Sequence, residues 1–594
     1  MRLYEDLTPL KKRAKITFLI IGFIFICMVI LFWKIQILDH NKYILLAERN
    51  RLREENLPAP RGLIKDRNGV ILAENRASFN VSLIRENCFD INESLKRVSK
   101  LLNIGEDVLR DRISQYKFYP EFKPIIIKEN LKLEEIAKIE ALKNEFPELI
   151  VQFEPKRYYP FHECGAHVIG YVQEISREEL KDNRFRNLRM GDIIGKAGIE
   201  KKYDVLLRGE DGKIKKIVDS RGRFVKEINR IEPVPGEDIF LTIDFDLQKK
   251  SQELLAGREG AIVMLDPRNG EILAMVSSPS YDPNKFVRRF NKKEWEKLVR
   301  DVKSPLENRA IRGLYAPGSI FKPVVALAGL QEGIINPNST FYCRGKAYFY
   351  NKEFSCWNKG GHGKVNLYEA IRHSCNIYFY NVGNILGIEK IKSWASEFGF
   401  GKRTGIDLPG EKSGLIPSPE WKKRLFHSPW FPGETISISI GQGPLLVTPL
   451  QVAVYTAEIA NRGKRVLPHL LKSDRKNSYE IIKIKRKYFE DVIEGMWEAV
   501  NLKGTGRLAK LPGFDICGKT GSTQLVSKKE GEKNQVKTHS WFTGFALKDN
   551  PQIVVTVIVE YGGMGGETAA PIARELFRLY REKYIKENGF KKNY

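Results

Sequence analysis

Three short groups of residues carry the chemistry open to this chain: Ser319-Ile320-Phe321-Lys322, Ser374-Cys375-Asn376 and Lys519-Thr520-Gly521. A serine hydroxyl is a poor nucleophile at neutral pH and needs a base within hydrogen-bond reach. Ser319 and Lys322 stand at i and i+3, so on a helix the amine lies beside the hydroxyl, one turn along. The preceding Pro317-Gly318 can open that helix, whose N-terminal dipole favours the anion that develops during attack. Lysine acts as a base only when burial or a neighbouring cation lowers its pKa, and Lys519 is the candidate cation. Ser374 and Asn376 alternate, so both can face one cleft, Ser374 relaying protons and Asn376 holding substrate and Lys322; the bland alternative is a pair of helix N-caps. Lys519-Thr520-Gly521 follows the apolar stretch FDIC, which suggests a strand edging the cleft. There Gly521 lets the backbone approach substrate, Lys519 and Thr520 bind a carboxylate, and the amide of Ser522 joins that of Ser319 as an oxyanion hole. Alone, S-x-x-K decorates many solvated helix faces and K-T-G is an ordinary turn; the three in this order are far more specific.

Such a site needs a framework. GAIVMLDPRNGEILAMVSSPSYDPN places two apolar strands around the turn Pro267-Arg268-Asn269-Gly270, IVVTVIVEY (553–561) is a near-continuous apolar strand, and APIARELFRLYREKYIKE is an amphipathic closing helix. Strands at both ends of a helix-rich middle predict one α/β domain over 241–585 whose termini share a sheet, with a frayed tail at 586–594. At 594 residues the chain exceeds one core. RGLIKDRNGVILAEN reads as a hairpin at Asn68-Gly69, and the rest of 37–240 reads as a non-catalytic α+β module without a cluster of catalytic residue types. NKYILLAERNRLREEN reads as helix, stopped by Pro58 and Pro60.

Residues 16–33 form a charge-free apolar run, enough for one helix to cross a hydrocarbon layer of about 30 Å. The segment predicted to span is 16–36; the alternative, a cleaved signal peptide, lacks a small-x-small cleavage site. Arg2, Lys11, Lys12, Arg13 and Lys15 outnumber Glu5 and Asp6, so the positive-inside rule keeps tail 1–15 in the cytoplasm and everything after residue 36 outside. The formal charge of +26 therefore does not point to nucleic acid, because most basic residues lie in the translocated part; a membrane face or an anionic polymer is the better partner class.

The three motifs together with RGLIKDRNG, AHVIGYV, GKAGIEKKYD, LYAPGSIFKP, SIGQGPLLVTPLQ and SWFTGFA resemble class B penicillin-binding proteins, most closely the elongation-type penicillin-binding protein 2 group, over about residues 10–580. The resemblance implies a penicillin-binding transpeptidase fold, α/β (α+β) with a central antiparallel sheet and helices on both sides, on an elongated pedestal with one transmembrane helix. It implies that Ser319 is acylated by the penultimate D-Ala of a peptidoglycan stem peptide, releasing the terminal D-Ala, and passes the acyl group to an amine of a neighbouring strand, with β-lactams as inhibitors. A class A enzyme would carry a glycosyltransferase domain ahead of the pedestal; here pedestal motifs use that stretch, so a separate polytopic membrane glycosyltransferase and other elongation-complex proteins are the expected partners. The rival readings are a D,D-carboxypeptidase using the same site, a β-lactamase, and a β-lactam sensor or scaffold. KTGST stands where KTGTA is usual and keeps a hydroxyl at 522.

Four candidate metal ligands cluster beside the second motif: Cys343, Cys356, His362 and Cys375, with twelve, five and twelve residues between them. Three thiolates and an imidazole are a normal structural zinc set, although these spacings are longer than a finger's. Some members of the resembling family hold zinc at matching positions, which implies one structural zinc per chain here; the acyl-transfer chemistry needs no cofactor. A Cys343-Cys356 disulfide or buried free thiols are the alternatives. Cys27 reads as lipid-facing or packed in the anchor, and Cys88, Cys164 and Cys517 as small core residues.

Overall fold

In the computed structural model, which describes residues 8–218, 224–287, 292–472, 480–525 and 537–586, the polypeptide divides into two compact units that do not follow chain order. One holds the chain up to Pro60, then Arg76–Lys156 and Gly209–Pro235; the other holds Arg61–Asn75, Arg157–Arg208 and everything from Gly236. The boundary read at residue 240 thus marks a change of texture along the chain, whereas in space two earlier segments join the catalytic part.

In the first unit, Thr8–Trp33 is a helix continued by a π-turn at Lys34–Leu38. Among the described residues one helix, Leu10–Leu38, is long and apolar enough to cross a membrane, and no residue of its most apolar window, mean hydropathy 2.9, is buried. The expected span 16–36 lies inside it. The following helix, His40–Arg51, is shorter than the helical reading of 41–56. Leu52–Leu57 is instead a strand, antiparallel to Gly212–Val218 with Leu52 opposite Ile217 and Leu57 opposite Gly212. Asp211 locks the end of that pairing by accepting from Ala59 N–H at 2.9 Å and Asn56 Nδ2 at 3.3 Å. A smaller core, with Leu83, Val98, Leu109, Ile127 and Phe146 among its members, fills the rest of this unit.

The second unit is built on one sheet. Its elements, in chain order, are α1 (Phe245–Leu254), β1 (Gly260–Leu265), β2 (Ile272–Ser278), α2 (Lys322–Gln331), α3 (Leu367–Arg372), α4 (Asn376–Glu397), α5 (Pro449–Ala460), α6 (Arg486–Asn501), β3 (Ile516–Leu525), β4 (Lys537–Ala546), β5 (Ile553–Val559) and α7 (Ala569–Tyr580). The strands pair in the order β2-β1-β5-β4-β3, antiparallel throughout. N- and C-terminal strands therefore share the sheet, as the apolar runs at both ends of this region predict. Because side chains alternate across a strand, Ile262, Met264, Val555 and Val557 pack with Leu576 and Phe577 of α7 on one face. Ala261, Val263, Leu265 and Ile558 pack on the other with α2, α4 and α5. Both faces are covered, which is why these strands read as continuous apolar runs. The hairpin predicted at Asn68-Gly69 forms, with Asp66 accepting from the N–H groups of Asn68 and Val70, each at 2.8 Å. The tail read at 586–594 lies, but for its first residue, outside the described residues, as do residues 1–7 of the N-terminal tail.

Within this unit the segments 61–75 and 157–208 are joined to each other through buried charges. Glu200, fully buried, accepts from Arg61 Nε and Arg157 Nε, each at 2.7 Å, and Arg61 Nη2 also donates to Asp204 at 2.8 Å. The two guanidinium groups hold the Glu200 carboxyl below the usual carboxylate range against the opposing effect of burial. Removing one partner of such a set leaves an uncompensated buried charge, at a cost of about 3–5 kcal/mol.

Candidate active site

Ser319 lies in a 3₁₀ turn, Gly318–Phe321, that runs directly into α2. Every residue of α2 from Lys322 to Leu330 is buried, so the helix that carries the lysine is the centre of the core and has little freedom to move. The turn is seated on the loop of SIGQGPLLVTPLQ: Gly318 N–H donates to Gly441 O at 2.8 Å, and a Cβ on Gly441 would stand 2.2 Å from Gly318 O. Both glycines have positive φ, 58° and 72°, so the close approach and the backbone conformation each require them. Tyr455 of α5 fixes the same turn by donating its hydroxyl to Ile320 O.

Lys322 is wholly buried, and its amine donates to Ser374 O at 2.8 Å, Ser374 Oγ at 3.2 Å and Asn376 Oδ1 at 2.8 Å. The first and second motifs thus meet around one nitrogen. Local chain geometry explains how. Helix α3 ends in a Schellman motif, Cys375 N–H donating to Ala370 O at 2.9 Å and Ser374 N–H to Ile371 O at 3.2 Å, with Ser374 at φ 53° in the left-handed position where glycine is usual. Helix α4 starts at Asn376, so three consecutive residues turn the chain between two helices. The cap reading for Ser374 and Asn376 is replaced by this arrangement, in which Asn376 also donates Nδ2 to Ser355 O at 3.3 Å.

The third motif lies on β3, the edge strand of the sheet. Thr523 Oγ1 of β3 and Trp541 Nε1 of β4 donate to Ala316 O at 2.9 and 3.2 Å, tying both strands to the segment that leads into Ser319. A Cβ on Gly521 would stand 2.9 Å from Pro317 O, so the strand fits against the serine turn only because residue 521 has no side chain. Gln442 Nε2 donates to Ser522 O at 3.3 Å, and Ser522 Oγ accepts from Gly565 N–H at 3.1 Å. Lys519 is wholly buried and donates to Thr520 O at 3.1 Å. Burial, then the charge of Lys322, pushes its amine well below the ordinary lysine range. Lys322 is itself lowered to about 8 by burial, against the opposing pull of the thiols of Cys375, Cys356 and Cys343. The sequence reading makes Lys519 the cation that lowers Lys322; instead burial lowers Lys322, and the cation effect runs the other way, from Lys322 onto Lys519.

Behind Ser374, the side chains of Cys343, Cys356, His362 and Cys375 place one donor atom each within 4.8 Å of one another. Both the Cys343 and Cys356 sulfurs lie 3.6 Å from His362 Nδ1. Bond lengths of about 2.3 Å to sulfur and about 2.0–2.1 Å to nitrogen at a tetrahedral angle give a sulfur–nitrogen separation of about 3.6 Å, the distance seen in these two pairs. All seven cysteines are free, so the Cys343-Cys356 bridge is not made. Trp357, beside Cys356, donates its indole N–H to His373 O at 3.0 Å and Ser374 O at 3.2 Å, the latter being the carbonyl that receives Lys322. Reading the sequence alone missed Trp357, Gln442 and Tyr455; SIGQG and CWNKGG are the only local signals, and neither states which distant backbone atom its side chain will meet.

The transpeptidase domain model of the penicillin-binding proteins matches residues 260–578, and the penicillin-binding protein dimerisation domain matches 56–241. "Peptidoglycan D,D-transpeptidase MrdA" of Acinetobacter baumannii is 38% identical over 94% of this chain and 86% of its own length. Among solved structures, the complex between penicillin-binding protein PBP2 and MreC from Helicobacter pylori aligns with a TM-score of 0.80 at 31% identity, covering 90% of this chain and 100% of that one. A structure described as the coordination of polymerization and crosslinking by a peptidoglycan synthase complex aligns with a TM-score of 0.72 at 30% identity, covering 96% and 98%. Fold and site are those of serine acyltransferases that recognise penicillin. The chain belongs to the penicillin-binding proteins, in the peptidoglycan D,D-transpeptidase family.

Proposed function

We propose that this chain cross-links peptidoglycan stem peptides during cell elongation by serine acyl transfer at Ser319, and that β-lactams acylate the same hydroxyl. The observation that carries the reading is the meeting of Lys322 with Ser374 and Asn376 beside the Ser319 turn, with a buried Lys519 near enough to feel the charge of Lys322. Ser319 Oγ attacks the carbonyl carbon of the penultimate D-Ala while its proton passes to neutral Lys322. The backbone N–H groups of Ser319 and Ser522 receive the oxyanion. When the tetrahedral intermediate collapses, the amide C–N bond breaks and the terminal D-Ala leaves as an amine, taking a proton relayed through Ser374. An amine of a second strand then attacks the ester, the acyl C–O bond breaks, and Ser319 regains its proton. Thr520 and Lys519 hold the carboxylate of the donor, Gly521 gives it room and Asn376 positions its backbone. A β-lactam ring opens by the same attack, but its leaving nitrogen stays tethered and bars the acceptor. With water in place of the amine the same site acts as a D,D-carboxypeptidase.

Lys11, Lys12, Arg13 and Lys15 lie in the first turns of the helix, just ahead of its apolar run, and support an N-terminus on the cytoplasmic side of the membrane with the rest of the chain outside. The solved relatives in complex with MreC and in a synthase that polymerizes and crosslinks support a separate glycan polymerase and elongation proteins as partners. The test is labelling by fluorescent penicillin followed by mass spectrometry of the adduct. Ser319→Ala is expected to abolish labelling while the protein stays folded, and the wild-type adduct to map to Ser319; label retained on the alanine variant would overturn the assignment.

A second reading rests on the spacing of Cys343, Cys356, His362 and Cys375, which supports one structural zinc ion held by three thiolates and a ring nitrogen. The ion would supply rigidity to the loop bearing Ser374 and Asn376, since Cys375 lies between them in sequence; no acyl-transfer step uses it.

A further inference from the structure

Thr505 lies outside all three motifs, in the Gly504-Thr505-Gly506 turn that follows α6. Its backbone N–H donates to Arg372 O at 3.2 Å, at the end of α3 and two residues ahead of Ser374. Its hydroxyl meets the Thr520 hydroxyl at 2.9 Å. One residue therefore touches both the loop that holds the Lys322 amine and the strand that carries Lys519-Thr520-Gly521. The turn itself is fixed. Gly506 N–H donates to Ala499 O at 2.9 Å, and a Cβ on Gly504 would stand 2.5 Å from Ala499 Cα. From the other side the chain at Gly566 packs so closely that a Cβ there would lie 2.5 Å from Thr505 O.

We propose that Thr505 is a positioning residue for the carboxylate of the donor substrate, acting through Thr520; the inference rests on the transpeptidase reading above. A hydroxyl has one proton and two lone pairs, and the proton turns to suit its neighbours. To bind an anion, Thr520 must point its proton at the ligand, and it does so at least cost when another donor fills its lone pair. Thr505 is placed to be that donor. In the structure Thr520 Oγ1 donates to Thr505 Oγ1; when the carboxylate binds, both hydroxyl protons turn, so that Thr505 donates into Thr520 Oγ1 and the Thr520 proton is left for the anion and polarised. Thr520 is only 6% exposed, so water is a poor substitute in that role. The contact of Thr505 N–H with Arg372 O holds the donor at a fixed distance from the Ser374 loop, so carboxylate and scissile carbonyl are positioned from one origin.

The test compares acylation of the full-length, detergent-extracted protein by benzylpenicillin and by its methyl ester, which lacks the anion, as second-order rate constants. Thr505→Val keeps the shape and removes the hydroxyl. It is expected to lower the acid-to-ester ratio about tenfold, the worth of one hydrogen bond to a charged group, mostly through weaker binding before acylation. Thr505→Ser is expected to keep the wild-type ratio at an unchanged melting temperature. Equal slowing with both compounds in the valine variant would reveal a merely structural residue and overturn the inference, as would a wild-type ratio. If the valine variant does not fold, Thr505→Ala is measured in its place: a lowered ratio supports the inference, and an unchanged one overturns it. A wild-type chain that neither compound acylates would instead overturn the transpeptidase reading itself.

Discussion

A fully buried ammonium group is tolerated at Lys322 because three oxygen acceptors surround it, yet burial still draws its pKa down to about 8. The proton acceptor is the neutral amine, which predominates above that value. Acylation by penicillin should therefore rise about tenfold per pH unit below a midpoint near 8 and level off above it. Second-order acylation rates over pH 6–9 measure this, and a flat profile would assign the proton to another group. The motif residues could be read from the sequence because their types and order are restrictive. Thr505, Trp357 and Gln442 could not, since their partners are the Thr520 hydroxyl and the carbonyls of His373, Ser374 and Ser522, which no spacing rule connects to them.

Elements were readable where a local rule and the tertiary environment agree. The turns at Asn68-Gly69 and Asn269-Gly270, the apolar strand β5 and the amphipathic α7 all follow their patterns. Leu52–Leu57, with the sequence LREENL, is the counterexample: its residues favour helix, but six consecutive pairings with Gly212–Val218 make it a strand. A partner strand so distant along the chain leaves no trace in a local window. The loop between α3 and α4 is a third kind of element, closed by the backbone bonds of a Schellman motif and backed by side chains from distant segments. If Cys375 of this loop holds zinc together with Cys343, Cys356 and His362, purified protein should contain about one zinc per chain by elemental analysis. His362→Ala combined with Cys343→Ser should lose that metal and lower the penicillin-labelled fraction. Metal-free protein with a mapped Cys343-Cys356 bridge would end the zinc reading.

At the scale of the molecule, the catalytic unit is assembled from three separated stretches of chain. Ile64, Leu72, Tyr159, Val168 and Ile199 belong to the same core as Ile320, Phe321 and Leu327. Ile239–Phe240 pairs in parallel with Ile64–Lys65. A chain beginning at Gly236 keeps all three motifs but loses those core partners and the whole Glu200 cluster. Expressed alone it should yield little soluble protein that takes up fluorescent penicillin, whereas a chain beginning at Arg61 should label normally; equal labelling of both would refute this dependence. The packing of Ile64, Leu72 and Tyr159 in one core with Ile320, Phe321 and Ile558 also sets an order of events for a nascent polypeptide. Segments made early must wait, with their polar and greasy surfaces uncovered, until several hundred later residues have been synthesised and can close over them. A ribosome that stalls in the middle of this message would release a product that no chaperone can complete.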